Sequence, residues 1–153
     1  MGKNLSYFMR EQKEEIVKAP APDSFKDENG KPIEMEIRLL STEKIRKINE
    51  KYRDRKIAFD KSDRPYINNG EVVFQSESDT GRALRHIIAE ALVYPNLKDK
   101  ELMDFYKCYD ITEMPMLVFS KQSEYDYVFR TVMSALGLIE KSENDDELDT
   151  AKN

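Results

Sequence analysis

The spacing of apolar residues changes several times along this chain, and each change marks an element. Leu84, Ile87, Ile88, Ala91 and Leu92 recur at three- and four-residue steps, one face of a helix. Pro95 has no N–H to continue that ladder and disfavours helix in the residue before it, so the helix is predicted to stop near Val93 or Tyr94. Asp99 can then cap a second helix whose apolar face begins with Leu102 and Phe105. Tyr94-Pro95-Asn96-Leu97-Lys98-Asp99-Lys100-Glu101-Leu102 therefore reads as a helix-turn-helix connection. The pattern continues as a short helix over 101–109, a second over 111–119 and a longer one over 124–136. In the last, Tyr125, Val128, Phe129, Val132, Met133 and Leu136 give a wide apolar face, and Gly137 stands where a left-handed C-terminal cap belongs.

The first half is patterned differently. Leu5, Phe8, Met9 and Gln12 suit a short amphipathic helix over 3–15, and Pro20 and Pro22 interrupt any helix beyond it. Asn29-Gly30 predicts a type I′ turn, because both central residues of that turn need positive φ, and hence a hairpin over about 24–40. Its second strand alternates: Ile33, Met35, Ile37 and Leu39 point one way, Glu34, Glu36 and Arg38 the other. Ser41 or Thr42 can cap a following helix with Ile45, Ile48 and Tyr52 on its buried stripe. Over 54–74 the pattern decays into charges, Pro65 and Asn68-Asn69-Gly70, which reads as a long loop with room for a second short hairpin. Ser76 or Ser78 then offers a cap for the helix that carries Leu84, with Asp79 placing negative charge in its first turn.

The fold class that results is α+β. It is a mainly helical single domain over 1–139, with a small antiparallel β-hairpin sheet near the N-terminus and a helical part over 42–138. Over 140–153 the residues are acidic and almost free of apolar side chains, so that tail is predicted to be disordered. A length of 153 residues suits one domain. The formal charge of -5 arises from 25 Lys and Arg dispersed among 30 Asp and Glu, which supplies no concentrated basic face for a nucleic acid. No run is long and apolar enough for a membrane helix, and Arg10, Glu11, Lys13, Glu14 and Glu15 stand where a signal peptide would be apolar. Cys108 is the only cysteine, which excludes an internal disulfide and points to a reducing, cytoplasmic setting.

Candidate chemistry is sparse. His86 is the only histidine, which leaves no His and Cys cluster at zinc-ligand spacing, and it reads as a structural or surface residue. Cys108 follows Phe105 and Tyr106 in an apolar helix, the setting of a buried inert thiol. Asp60, Ser62 and Glu71 fall at calcium-loop positions, but Arg64 puts a cation at a ligand position and Pro65 replaces the glycine of the sharp turn. Glu101 and Asp104 read as acids that complement a helix dipole rather than as a catalytic pair. Glycines at 2, 30, 70, 81 and 137 assemble no phosphate-binding loop. The reading contains no catalytic residue, no metal ligand and no cofactor.

The order of elements carries more. A polar N-terminus leads to Phe25-Lys26-Asp27-Glu28-Asn29-Gly30-Lys31-Pro32, then to the alternating strand, Leu40-Ser41-Thr42-Glu43, and a helix that enters Val93-Tyr94-Pro95-Asn96-Leu97-Lys98-Asp99-Lys100-Glu101-Leu102. Over about 5–138 this order resembles the XkdN-like tail assembly chaperones of phages and phage-derived particles of Gram-positive bacteria. The resemblance implies a non-enzymatic assembly factor of the host cytoplasm. Such a factor binds the tape measure protein, helps tail tube protein polymerise around it, and leaves before the particle is finished. The competing reading is a structural tail component, such as a tube or tail-completion protein. Several short amphipathic helices can present a groove to an apolar partner helix, and the candidate partner-binding residues are Tyr94, Leu97, Tyr125 and Phe129. Tyr94 and Leu97 either face a partner or lock the two helices together, and locking is preferred because apolar residues flanking a helix end commonly pack across it.

Overall fold

Met35 and Ile37 have no exposed surface while Glu34 between the turn and Met35 is exposed, so the alternation over 33–39 does build a strand with one buried face. The computed structural model describes residues 2–140. A single turn of 3-10 helix at Leu5–Phe8 precedes β1 (Ile16–Pro20), β2 (Glu34–Arg38), α1 (Thr42–Lys51), β3 (Arg53–Ile57), β4 (Ile67–Asn68), β5 (Glu71–Val72), β6 (Phe74–Ser78), α2 (Thr80–Ala91), β7 (Leu92–Tyr94), α3 (Lys100–Tyr106), α4 (Met114–Val118) and α5 (Gln122–Ala135). The main sheet is antiparallel in the order β1-β2-β7, with Ile16 opposite Arg38 and Ile37 opposite Leu92.

One hydrophobic core joins the sheet to the helices. It holds Met35 and Ile37 of β2, Ile48 of α1, Ile87 and Ile88 of α2, Met103 of α3, Met114 of α4, and Val128, Val132 and Met133 of α5. Tyr127 Oη of α5 donates to the Pro20 carbonyl at 2.7 Å and Ser24 Oγ donates to Glu124 at 3.0 Å, which tie the last helix to the end of β1.

The helix signals hold in most places. Ser41 caps α1 by accepting from Lys44 N–H, and Asp99 caps α3 by accepting from Glu101 N–H. Gly137 adopts φ 74°, with Leu138 N–H donating to Met133 O at 2.9 Å and Gly137 N–H to Ser134 O at 3.0 Å, the paired bonds of a left-handed helix end. Several boundaries move, and the helix predicted over 101–109 ends at Tyr106. The cap of α2 is Asp79 itself, which accepts from Arg82 N–H, so neither Ser76 nor Ser78 serves and both lie in β6. The helix predicted over 111–119 shortens to α4, entered through Pro115 in its first turn.

Strand content is where expectation and structure part. Helix accounts for 37% and strand for 22%, so mainly helical overstates the balance. The helix expected over 3–15 is only the turn at Leu5–Phe8, because Leu5, Tyr7, Phe8 and Met9 are all exposed and short helices without packing are marginal in water. β1 was not anticipated. It, rather than a strand beside Asn29, is the main partner of β2, and its Pro20 is tolerated because β1 is an edge. The Asn29-Gly30 turn does exist, closed by Gly30 N–H to Asp27 O with only Gly30 at positive φ, so it is not the predicted type I′. Asn69 and Gly70, at φ 52° and 80°, are both left-handed, as a type I′ turn requires, and they join β4 to β5.

The loop expected over 54–74 is instead part of a β-arm. β3 and β6 pair antiparallel through five registered positions, from Arg53 opposite Ser78 to Ile57 opposite Phe74, and β4 and β5 form a small hairpin beyond them. Every residue of these four strands is exposed or nearly so, and none joins the core. β7 also departs from the prediction: after Ala91 the chain straightens and pairs with β2 before reaching Pro95. The acidic tail over 141–153 lies outside the described residues.

Candidate functional site

The turn at Pro95 holds two side chains of opposite fate. Leu97 is 0% exposed and belongs to the core, whereas Tyr94, at the end of β7, is 49% exposed. Leu97 therefore locks the turn against the helices, and Tyr94 is left at the surface. Asn96 Oδ1 accepts from Lys98 N–H at 3.1 Å, and Asp99 N–H donates to Asn96 O at 3.0 Å, so the turn is closed by its own backbone and one short amide.

α3 leaves this turn with Met103 buried and Leu102 and Tyr106 partly buried against the core. Phe105 does not share that face, as the spacing from Leu102 had suggested. It is 77% exposed, with only an edge-to-face contact to Tyr106 at 4.9 Å between centroids. Between α3 and the first sheet lies a narrow cleft of about 190 Å³, walled by Ala21, Phe25, Ile33, Tyr94, Pro95, Leu102, Tyr106, Val118 and Phe119. It adjoins a shallower depression of about 530 Å³ that shares Tyr94, Pro95 and Leu102 and adds Asn96, Asp99, Glu101 and Phe105. The inner part is mostly apolar, and the only charged residues lining the outer part are the acids Asp99 and Glu101. Phe25 and Phe119 meet edge to face at 5.6 Å and fix the far wall.

Tyr125 and Phe129 line neither part of this groove. Both are partly buried on α5, with ring centroids 6.4 Å apart, and burial pushes the Tyr125 phenol above its usual range against the nearby Arg85 charge. Of the four residues singled out from sequence, Tyr94 lines the groove, whereas Leu97 lies in the core. Phe25, Leu102, Phe105, Tyr106 and Phe119 were not singled out. The signal that could have found Phe105 is its offset from Met103 and Tyr106, since α3 is too short to bury two faces.

A polar network reaches the Pro95 turn from α1 and α2. Tyr52 Oη lies 2.6 Å from His86 Nδ1, His86 Nε2 lies 3.5 Å from Glu90 Oε1, and Lys98 Nζ bonds Glu90 Oε2 at 3.1 Å. It joins the end of α1, the middle of α2 and the Pro95 turn. His86 is 6% exposed, and burial lowers its pKa more than the Glu90 charge raises it. Burial alone would raise Glu90, but the hydrogen bond and charge of Lys98 hold it lower than usual. The neutral imidazole fits this chain of contacts, accepting from Tyr52 and presenting its Nε2–H toward Glu90.

Other polar residues serve local structure. Asp60 Oδ1 accepts from Ser62 N–H at 2.8 Å and Arg64 N–H at 3.1 Å, closing a turn. Asp104 accepts from Tyr109 Oη at 2.7 Å. Cys108 is half-buried, its thiol donating to Asp110 O at 3.5 Å. Arg82 bonds Asp110 and Thr112 and lies over the Tyr52 ring, pinning the segment before α4 to α2. Among the described residues no helix is long and apolar enough to cross a membrane.

What the geometry defines is a small α+β domain with an apolar groove beside its Pro95 turn. Residues 5–152 match the phage XkdN-like tail assembly chaperone proteins, and the chain belongs to that family, which is one of chaperone-type phage proteins rather than enzymes. It is 32% identical over 127 residues to the uncharacterized protein YqbN of Bacillus subtilis (strain 168), covering 80% of this chain and 76% of that protein. The crystal structure of the protein YqbN shares the fold, with a TM-score of 0.67 at 24% identity, covering 90% of this chain and 98% of that one.

Proposed function

We propose that the groove beside Pro95 receives an apolar helix of the tape measure protein, keeping that partner soluble in the host cytoplasm while tail tube protein assembles around it. The protein then departs and is absent from the mature tail. The observation that carries this reading is Phe105: a large aromatic, 77% exposed, on a helix that packs Leu102, Met103 and Tyr106 but not this residue, at the mouth of an apolar cleft. The inner cleft of about 190 Å³ falls below the roughly 300–1,000 Å³ of ligand cavities, so it suits an inserted side chain better than a cofactor. Helix-in-groove recognition works this way, with anchors entering pockets along one apolar stripe. Asp99 and Glu101 on the rim favour a partner helix with basic residues beside its apolar stripe.

Co-expression with the tape measure protein tests the proposal. The wild type is expected to co-purify with it and raise its soluble yield. Phe105→Asp and Tyr94→Ala are expected to lose the complex while melting at the wild-type temperature, since exposed positions usually change stability by no more than about 0.5 kcal/mol. Complex formation undiminished by both substitutions would sink the groove. Stoichiometric protein in purified particles, read by mass spectrometry, would favour a structural tail component instead.

A further inference from the structure

The β-arm has two free edges, and they differ. Among the described residues, β3 and β6 form a sheet of two strands only. Ala58 N–H donates to Val73 O at 2.9 Å and Asp79 N–H to Tyr52 O at 3.0 Å, which fixes the alternation between them. By that alternation Gln75 and Glu77 turn their backbone groups toward β3, and Phe74, Ser76 and Ser78 turn theirs outward. The outer edge of β3 reads Arg53-Asp54-Arg55-Lys56-Ile57, the cationic dress that protects an edge from pairing. The outer edge of β6 reads Phe74-Gln75-Ser76-Glu77-Ser78, with no Lys, Arg or Pro.

We propose that the outer edge of β6 pairs antiparallel with β6 of a second copy of this chain, across a two-fold axis at Ser76, giving a four-stranded sheet β3-β6-β6-β3. The register follows from the chemistry. With Ser76 opposite Ser76, Phe74 stands opposite Ser78, and all three residues carry the outward backbone groups that such a ladder uses. On one face Gln75 of each copy meets Glu77 of the other, with no like charges opposed, and each Lys56, already bonded to its own Glu77 at 2.6 Å, flanks that pair. On the other face the central row is Arg55, Ser76, Ser76 and Arg55, and each guanidinium is held back over the Phe74 ring of its own copy, 4.9 Å from the centroid. Charge thus suits a second copy of β6 and disfavours β3, whose cations would oppose one another. Pairing also completes a sheet that stands free of the core, where a two-stranded ribbon is marginal by itself. This surface is separate from the groove, and neither proposal depends on the other.

Analytical ultracentrifugation of the full chain, with circular dichroism to verify folding, tests it. The wild type is expected to shift reversibly from the mass of one chain to twice that mass as concentration rises. Ser76→Lys puts two ammonium groups opposite each other beside Arg55, and it is expected to remain at the single-chain mass with an unchanged melting temperature. Mixing Ser76→Lys with Ser76→Glu is expected to restore the doubled mass as a mixed dimer, because position 76 faces itself. A wild type that stays at single-chain mass overturns the proposal. So does a Ser76→Lys variant that dimerises as the wild type does, since the contact then lies elsewhere.

Discussion

Replacing Leu97 with alanine separates a residue that holds the Pro95 turn from one that touches a partner. The side chain is completely buried and shares the core with Leu92 and Met103. Removing three carbons forfeits about 2.4 kcal/mol at roughly 0.8 kcal/mol for each methylene. The unfilled space adds to this, and buried Leu→Ala changes generally cost 2–5 kcal/mol, so about 3 kcal/mol is expected here. A domain of this size has about 5–15 kcal/mol of stability in all, so the variant still folds but with a much smaller margin. At roughly 2–4 °C per kcal/mol the melting temperature should fall by about 6–12 °C, read by circular dichroism at 222 nm. Capture of the tape measure protein at low temperature should survive, because the folded molecules keep Tyr94 and Phe105 at the surface. A fall of less than about 2 °C would refute the packing argument. Loss of capture with an intact melt would make Leu97 a contact.

Two further outcomes follow from local structure. His86 resists protonation when folded, so an unfolded chain takes up a proton near its ordinary value of 6.5 that the native chain refuses until lower pH. Stability should therefore be complete above that value and decline as pH falls through and below it, with Glu90, also lowered, adding a further loss below its ordinary 4.5; a urea midpoint that is level from pH 7.5 to 5.5 would contradict this. Gly137→Ala puts a side chain at φ 74° with open space around its Cβ, so backbone strain alone should lower the urea midpoint by an amount equivalent to about 1 kcal/mol.

The parts of the fold that were legible in the sequence are those written in local chemistry. α5 was readable because Val128, Val132 and Met133 repeat at helical spacing and Gly137 closes the end, and α1 and α3 were readable from Ser41 and Asp99. What escaped depends on distant partners. Leu92-Val93-Tyr94 continues the helical pattern of α2, and only β2, far back in the chain, draws it into a sheet. Ile16 and Val17 are a short β-branched pair ahead of Lys-Ala-Pro, with no alternation to announce β1. β3 buries no face, so there was no periodicity to find, and its register rests on backbone bonds to β6. The candidate site was half visible for the same reason: Tyr94 is marked by its proline, while the groove's far wall needs Phe25 and Phe119, brought together only by folding.

The bond from Asp79 N–H to Tyr52 O, 3.0 Å long, has a meaning for how this protein can vary. It means that the chain leaves the body after α1 and returns to the same spot before α2, so the body experiences the whole β-arm as a connection of almost no span. Growth, shrinkage or replacement of the arm changes nothing that the core helices must accommodate, and lengthening a closed loop adds only about 0.6 kcal/mol for each doubling. The arm is accordingly a place where a new recognition element can be exchanged without redesigning the fold, and a short turn grafted from Tyr52 to Asp79 should leave the rest of the domain standing.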